Sequence, residues 1–73
     1  MPHETRTLLT LPKSADLQVK MRLLHVAGRP VLELVDYIPS IDQYGRGFWL
    51  PVHSPEQLHA LAQALTDAAD DAS

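Results

Sequence analysis

Residues 17–24 read Leu-Gln-Val-Lys-Met-Arg-Leu-Leu, and apolar and polar side chains alternate without a break as far as Leu23. Successive side chains of a β-strand point to opposite faces of its sheet, so this period of two predicts a strand with one apolar face and one basic face. Lys20 and Arg22 would lie on the basic face. The neighbouring segments should then supply the strands with which this one pairs.

A second strand is predicted directly after a tight turn. Gly28-Arg29-Pro30 forms the connection, because Gly28 can adopt a positive φ, and Val31–Ile38 returns along the first strand. Both faces of 31–38 are largely apolar, which is typical of a strand covered on both sides. We expect the chain's own helix to cover one face and a second subunit to cover the other.

Two further strands are predicted on either side of this pair. Thr5–Leu11 is rich in strand-forming residues and reads as an edge strand, followed by a turn over Pro12–Asp16. Pro39–Gly47 is polar and contains glycine, so we expect a mobile loop there. Phe48–Val52 would be the last strand.

One helix is predicted after the strands. Ser54 and Gln57 have the spacing of a capping box, and Pro55 suits the first helical position. The helix should run from Pro55 to about Ala69, with three leucines on one face, namely Leu58, Leu61 and Leu65. The fold class is therefore α+β, with a four-stranded antiparallel sheet followed by one C-terminal helix.

The length of the chain predicts a single domain and a partner. Its 73 residues form one domain over 1–73, with residues 1–4 and 70–73 expected to be flexible. A domain this small buries a modest share of its surface, and without cysteine it has no disulfide to compensate. We therefore expect a homodimer.

Charge and hydropathy limit the possible function classes. The net charge is -3, yet within residues 18–50 four Lys and Arg face three acids, which is weakly basic at most. No apolar run approaches the roughly 18 residues of a membrane span, and residues 1–10 do not resemble a secretory leader. The expected location is the cytoplasm, with no membrane contact.

Catalytic and metal chemistry find little support in the sequence. His53 and His59 are six residues apart across the start of the helix, so they do not share a helical face as a metal pair would. The serines fall in a turn, a loop and a cap, and none has an evident base beside it. We expect no enzymatic activity, no catalytic residue, no metal and no cofactor.

The remaining candidate site combines cations with aromatic rings. Phosphates can meet the cations and unpaired bases can stack on the rings, as in proteins that bind single-stranded nucleic acid. The alternative interpretation is that the cations only protect an exposed strand and that Trp49 belongs to a core or dimer interface. The candidate nucleic-acid-binding residues are Lys20, Arg22, Arg29, Tyr44, Arg46 and Trp49.

Several short motifs, in order, resemble the transcriptional positive cofactor four family of single-stranded-DNA-binding coactivators. Residues 28–37 read Gly-Arg-Pro-Val-Leu-Glu-Leu-Val-Asp-Tyr, residues 46–50 Arg-Gly-Phe-Trp-Leu and residues 55–58 Pro-Glu-Gln-Leu. The resemblance covers about residues 17–69. It implies a curved four-stranded sheet, a dimer with two antiparallel helices, and single-stranded DNA as the ligand. Arg29 matches the family's turn cation and Arg46 the loop cation before the glycine.

The chain also departs from the family pattern. Val35, Ile38 and Ala27 stand where the family usually has an arginine, an aromatic residue and a basic residue, and Pro51-Val52-His53 is inserted before the helix cap. The predicted function is a DNA-binding homodimer with a role in transcription regulation, and double-stranded DNA is a variant of it. The alternative is a dimeric protein-interaction module that has lost DNA binding. A ribbon-helix-helix repressor fits less well, because that fold needs two helices per chain.

Overall fold

The computed structural model describes residues 5–72. Four strands follow one another, β1 (Thr5–Ser14), β2 (Leu17–Val26), β3 (Arg29–Ile38) and β4 (Gln43–Pro51), and the helix α1 (Pro55–Ala72) closes the chain. The strands form one antiparallel sheet in the order β1-β2-β3-β4. The predicted fold class, a four-stranded antiparallel sheet followed by a single helix, is confirmed.

A two-residue turn sets the register between β2 and β3. Val26 pairs with Arg29, and both residues between them have a positive φ, 53° at Ala27 and 78° at Gly28. Two successive positive φ values are typical of the turn whose twist matches that of an antiparallel hairpin. The positive φ predicted for Gly28 is therefore confirmed, but the turn consists of Ala27 and Gly28, and Arg29 and Pro30, predicted as part of the connection, already belong to β3. Ala27 adopts a conformation that a residue with a Cβ rarely takes.

The buried residues are concentrated in β3, which lies inside the sheet between β2 and β4. Among the described residues, the ones with less than a tenth of their surface exposed to solvent are Leu24, Val31, Leu32, Glu33 and Val35. Val31 and Val35 point to one face of β3 and Leu32 to the other, so both faces contribute to the core, as the sequence predicts.

The two faces of the sheet differ in composition. Residues directly opposite each other in antiparallel strands point to the same face. One face, here named the helix face, carries mainly apolar side chains: Leu9, Leu11, Val19, Met21, Leu23, Leu32, Leu34, Asp36, Phe48 and Leu50. The other, named the aromatic face, carries Lys20, Arg22, Arg29, Glu33, Tyr37, Tyr44 and Trp49 besides the buried valines.

The loop predicted over Pro39–Gly47 is wrong from Gln43 onward. Pro39–Ile41 forms a single 3-10 turn, Asp42 follows with a left-handed φ of 49°, and β4 begins at Gln43. Gly47 lies in β4 where the backbone of β3 approaches closely, and such positions favour glycine. A Cβ on Gly47 would lie 2.6 Å from the carbonyl oxygen of Leu34. The last strand thus spans Gln43–Pro51 instead of Phe48–Val52.

The first strand is also longer than predicted. β1 continues past Leu11 to Ser14, and Pro12 pairs with Gln18. A proline is tolerated there because β1 is an edge strand, whose outward N–H groups have no ladder partner in any case. The connection to β2 then shrinks to the two residues Ala15 and Asp16.

The helix begins at Pro55 as predicted, but its N-terminal capping contact and its C-terminal end differ from the prediction. The Gln57 side chain accepts a hydrogen bond from the His53 amide at 2.8 Å, and the Gln57 amide donates to the Ser54 carbonyl oxygen at 3.2 Å. In a capping box the Gln57 side chain would bond to the Ser54 amide, whereas here it bonds to the amide of the preceding residue, His53. At the other end α1 continues beyond Ala69 to Ala72. The predicted flexible residues 1–4 lie outside the described part of the chain.

The helix covers the helix face incompletely. Leu58 and Leu61 are half-buried, and Leu65 remains 54% exposed. A gap of about 200 Å³ remains between these leucines and the sheet residues Leu8, Met21 and Leu32. The radius of gyration is 13.8 Å, compared with about 11 Å for a compact domain of this length. The single chain is therefore an open structure with an apolar face only partly covered.

Candidate nucleic-acid interface

The structure brings four of the six candidate residues together on the aromatic face, and they are Lys20, Arg22, Tyr44 and Trp49. Lys20 and Arg22 alternate along β2, while Tyr44 and Trp49 come from β4. Tyr44 and Trp49 are five positions apart in the sequence, an odd number, so a regular strand would place them on opposite faces. An irregularity in β4 prevents this, because Val35 pairs with Gly47 but Tyr37 pairs with Tyr44.

A row of cations and rings crosses three strands on this face. The Lys20 ammonium lies 4.5 Å from the centre of the Tyr37 ring, and the Arg22 guanidinium lies 4.3 Å from the centre of the Tyr44 ring. The two tyrosine rings are tilted by 47° with their centres 4.9 Å apart. These distances fall within the range of attractive cation–π and aromatic contacts. The row is therefore Lys20, Tyr37, Tyr44 and Arg22, in spatial order.

Glu33 occupies the centre of the face and links Arg22 to Trp49. Its Oε1 accepts hydrogen bonds from Nε of Arg22 at 2.7 Å and from Nη2 of the same guanidinium, and its Oε2 accepts one from the Trp49 indole N–H at 2.7 Å. Glu33 is only 8% exposed, whereas Trp49 is 55% exposed. The indole is thus fixed at its N–H edge while much of its ring faces solvent.

The other two candidates lie apart from these four. Arg46 lines a depression of about 400 Å³ on the helix face, together with Lys13, Asp36 and Phe48. Lys13 forms an ion pair with Asp36 at 3.0 Å in the same depression. Arg29 is exposed at the first position of β3, where the register places it on the aromatic face but at the far end of the hairpin, four residues from Glu33. The cations that match the family resemblance are therefore separated from the four residues of the aromatic face.

Sequence reasoning missed two members of the site, Glu33 and Tyr37. Both could have been predicted from the hairpin. A two-residue turn over Ala27 and Gly28 pairs residue 26 with residue 29, and continuing this register pairs Arg22 with Glu33 and residue 18 with Tyr37. The position of Tyr44 and Trp49 on the same face could not have been predicted in this way, because in the sequence only the glycines of β4 indicate the irregularity.

The edge of the aromatic face is held by hydrogen bonds to two aspartates. The Tyr37 hydroxyl donates to Asp42 Oδ1, and the Ser40 hydroxyl donates to Asp16 Oδ2, which ties the 3-10 turn to the β1–β2 connection. The hydrogen bond to the Asp42 carboxylate raises the pKa of Tyr37 above its usual value of 10.0, and desolvation adds to this. Tyr37 is thus kept protonated and its ring oriented beside Tyr44.

Two other kinds of site have no support in the described part of the chain. Among residues 5–72 no group of three or more His, Asp and Glu side chains is placed to hold a metal ion. Within the same residues no helix has both the length and the apolar character needed to cross a membrane.

No family model, curated protein or solved structure matches this chain. The four-stranded sheet and its helix define a small antiparallel α+β domain. Its resemblance to the positive cofactor four family stays a prediction from short motifs.

Proposed function

We propose that this chain is a cofactor-free homodimer that binds nucleic acid, preferentially single-stranded DNA, through the aromatic face. One observation carries the proposal: two cations and three rings lie on one face of a single sheet, with Tyr44 47% and Trp49 55% exposed. Half-exposed rings beside cations suit unpaired bases, which stack on the rings while the cations meet the phosphates. The resemblance to the positive cofactor four family favours transcription regulation as the process in which this binding is used.

The charges favour a mode of binding in which stacking contributes most of the affinity. Arg22 is engaged by Glu33, so among residues 5–72 the cations of this face without an ion pair are Lys20 and, at the end of the hairpin, Arg29. A site with about one to three phosphate contacts loses affinity slowly with added salt, with a slope of roughly -0.7 to -2 in log K against log salt for a single strand. Duplex DNA offers no unpaired bases to the rings and should bind more weakly.

A titration with fluorescent oligothymidylate at low and moderate salt tests this proposal. Trp49→Ala should weaken binding by about 5- to 100-fold, the range expected for the loss of one stacked base. Lys20→Ala and Arg46→Ala form a matched pair, since each removes one positive charge but from opposite faces. Only Lys20→Ala should weaken binding. The proposal fails if the unmodified protein does not bind oligothymidylate even at low salt.

The homodimer is supported by the incompletely covered helix face. Leu9, Leu11 and Phe48 are 45%, 50% and 58% exposed, and α1 has no buried residue. Contiguous apolar surface of this kind is rare on a stable monomer. A second copy is the occupant that this surface fits, because a chain without disulfides and with few buried side chains needs additional burial to be stable. Sedimentation at micromolar concentration should give the mass of a dimer, and a folded monomer would contradict it.

A dimeric protein-interaction module is the second candidate, and Glu33 favours it. Of the two cations that lie beside the tyrosine rings, the carboxylate neutralises Arg22. If a folded dimer shows no affinity for oligothymidylate or for duplex DNA, this candidate replaces the first. The same titration therefore separates the two.

A further inference from the structure

We propose that Glu33 is a positioning and specificity-determining residue, which makes the aromatic face select unpaired bases over phosphate charge. This inference rests on the proposed function. Both oxygens of the carboxylate are used, one by the Arg22 guanidinium and the other by the Trp49 indole N–H. No other described residue contacts a cation and an exposed ring of the face in this way through hydrogen bonds.

Packing alone does not call for an acid at this position. Glu33 lies between Val31 and Val35 on the same face of β3, and both valines are buried. Replacing a buried ion pair as a whole, here Glu33 together with Arg22, by apolar residues is often neutral or stabilising, so a purely structural role would not require this pair. A glutamate here is better explained by what it does to its two partners.

The first partner, Trp49, becomes a fixed platform. Its indole N–H is tied down at 2.7 Å while the residue stays 55% exposed. A ring held in its bound orientation loses little conformational freedom when a base stacks on it, and this lowers the cost of binding. Glu33 therefore raises the affinity for bases without touching them.

The second partner, Arg22, is withdrawn from phosphate binding. Its guanidinium donates twice to Glu33 and lies over the Tyr44 ring at 4.3 Å, so its charge is neutralised and its orientation is fixed. A polyanion without bases then meets one positive charge fewer on this face, where Lys20 and, at the end of the hairpin, Arg29 remain. Selectivity for bases follows from the same carboxylate that orients the indole.

The test compares Glu33→Gln with the unmodified protein on two ligands, oligothymidylate and an abasic phosphodiester strand of equal length. Removing the negative charge releases Arg22, so the variant should gain affinity for the abasic strand. Its salt slope should steepen by roughly 0.7, the value for one more phosphate contact. Trp49 is the only tryptophan, so its fluorescence anisotropy reports directly on the indole and should fall in the variant.

Asp36→Asn is the matched control. It changes the net charge by the same amount, but its carboxylate pairs with Lys13 on the helix face. The control should leave the abasic affinity, the salt slope and the Trp49 anisotropy unchanged. If Glu33→Gln and Asp36→Asn behave alike while the unmodified protein binds oligothymidylate, the inference about Glu33 is wrong and the proposed function stands. If the unmodified protein binds neither strand, the proposed function itself fails.

A second variant covers the case in which Glu33→Gln does not fold. Trp49→Phe keeps a ring at the position but removes the hydrogen bond to Glu33. It should bind oligothymidylate about fivefold more weakly, the factor that corresponds to about 1 kcal/mol for immobilising one side chain on binding. Binding as tight as that of the unmodified protein would show that the fixed indole does not contribute, and would overturn the inference.

Discussion

The two faces of the sheet reach stability in different ways. The aromatic face satisfies its polar groups within the chain, through Glu33, Arg22 and the hydrogen-bonded Trp49. The helix face is apolar but incompletely covered, and it leaves Phe48 and Leu65 more than half exposed. A surface whose polar groups are already paired is suited to a ligand that comes and goes. A surface with uncovered apolar groups is suited to a permanent partner.

The largest effect should come from Gly47→Ala, which disturbs both faces at once. The new Cβ would lie 2.6 Å from the Leu34 carbonyl oxygen and 2.9 Å from the Val35 Cα, and these backbone atoms cannot move aside without separating β3 from β4. We expect a loss of about 3 kcal/mol in the free energy of unfolding, as for other strained substitutions. Gly45→Ala is the control, because its Cβ would meet the Asp36 Cβ at 3.3 Å and the Asp36 carbonyl oxygen at 3.9 Å, with no backbone atom nearer than that. Urea denaturation measures both, and equal losses would contradict the steric explanation.

A smaller effect is expected from Leu65→Lys, which tests the helix face alone. In a monomer this 54% exposed side chain would contribute little, and its replacement would change stability by under about 0.5 kcal/mol. In a dimer interface the same change removes a buried leucine and should cost about 2 kcal/mol. Thermal denaturation at several protein concentrations distinguishes the two. A melting temperature independent of concentration in both proteins would argue against the dimer.

Ala27→Gly should leave both faces intact and stabilise the hairpin between them. Ala27 has a φ of 53°, which disfavours any residue with a Cβ, and glycine removes that penalty. The penalty is about 1 kcal/mol or more, and the greater freedom of glycine in the unfolded chain offsets part of it. We expect a net gain of about 0.5 kcal/mol by urea denaturation, with oligothymidylate binding unchanged. A loss of stability would show that the turn is not strained.

The smallest effect concerns pH and the edge of the aromatic face. The pKa of Tyr37 is raised in the folded chain, mainly by its hydrogen bond to Asp42. Its stabilising contribution is therefore complete below the pKa of an unfolded tyrosine, about 10, and is lost as the pH rises through the higher folded pKa. Tyr37→Phe should be less stable than the unmodified protein at pH 8, and the difference should shrink above pH 10.

Asp42→Asn provides the comparison for this pH dependence, since it removes the carboxylate charge that raises the pKa of Tyr37. In urea denaturation from about pH 8 to 11, the effect of Tyr37→Phe should depend less on pH in the Asp42→Asn background than in the unmodified protein. A constant difference between Tyr37→Phe and the unmodified protein across this range would mean that Tyr37 ionises as it does in the unfolded chain.

Much of the fold could be predicted because its signals are local. The alternation from Leu17 to Leu23 identifies β2, the apolar character of Val31–Ile38 identifies the core strand, and Pro55 marks the start of the helix. The first strand and the last strand were harder, because Pro12 and Gly47 are residues that usually interrupt strands. Each is tolerated here for a tertiary reason, an edge position in one case and a close backbone approach in the other.

Less of the candidate site could be predicted, because it depends on register. Lys20 and Arg22 follow from alternation alone, whereas the contact between Arg22 and Glu33 follows only from the length of the turn. The irregularity between Val35 and Tyr37 decides the rest, since it turns Tyr44 toward Trp49 and leaves Arg46 on the helix face. A strand pattern read without its partner contains no information about such a shift.

The order of the strands also determines how the chain can fold. Each strand pairs only with its neighbours in the sequence, so the sheet can grow one hairpin at a time without closing a long loop. Sheet formation should therefore be a rapid unimolecular phase whose rate does not depend on protein concentration. Any slower phase that accelerates with concentration would then report the encounter of two preformed sheets.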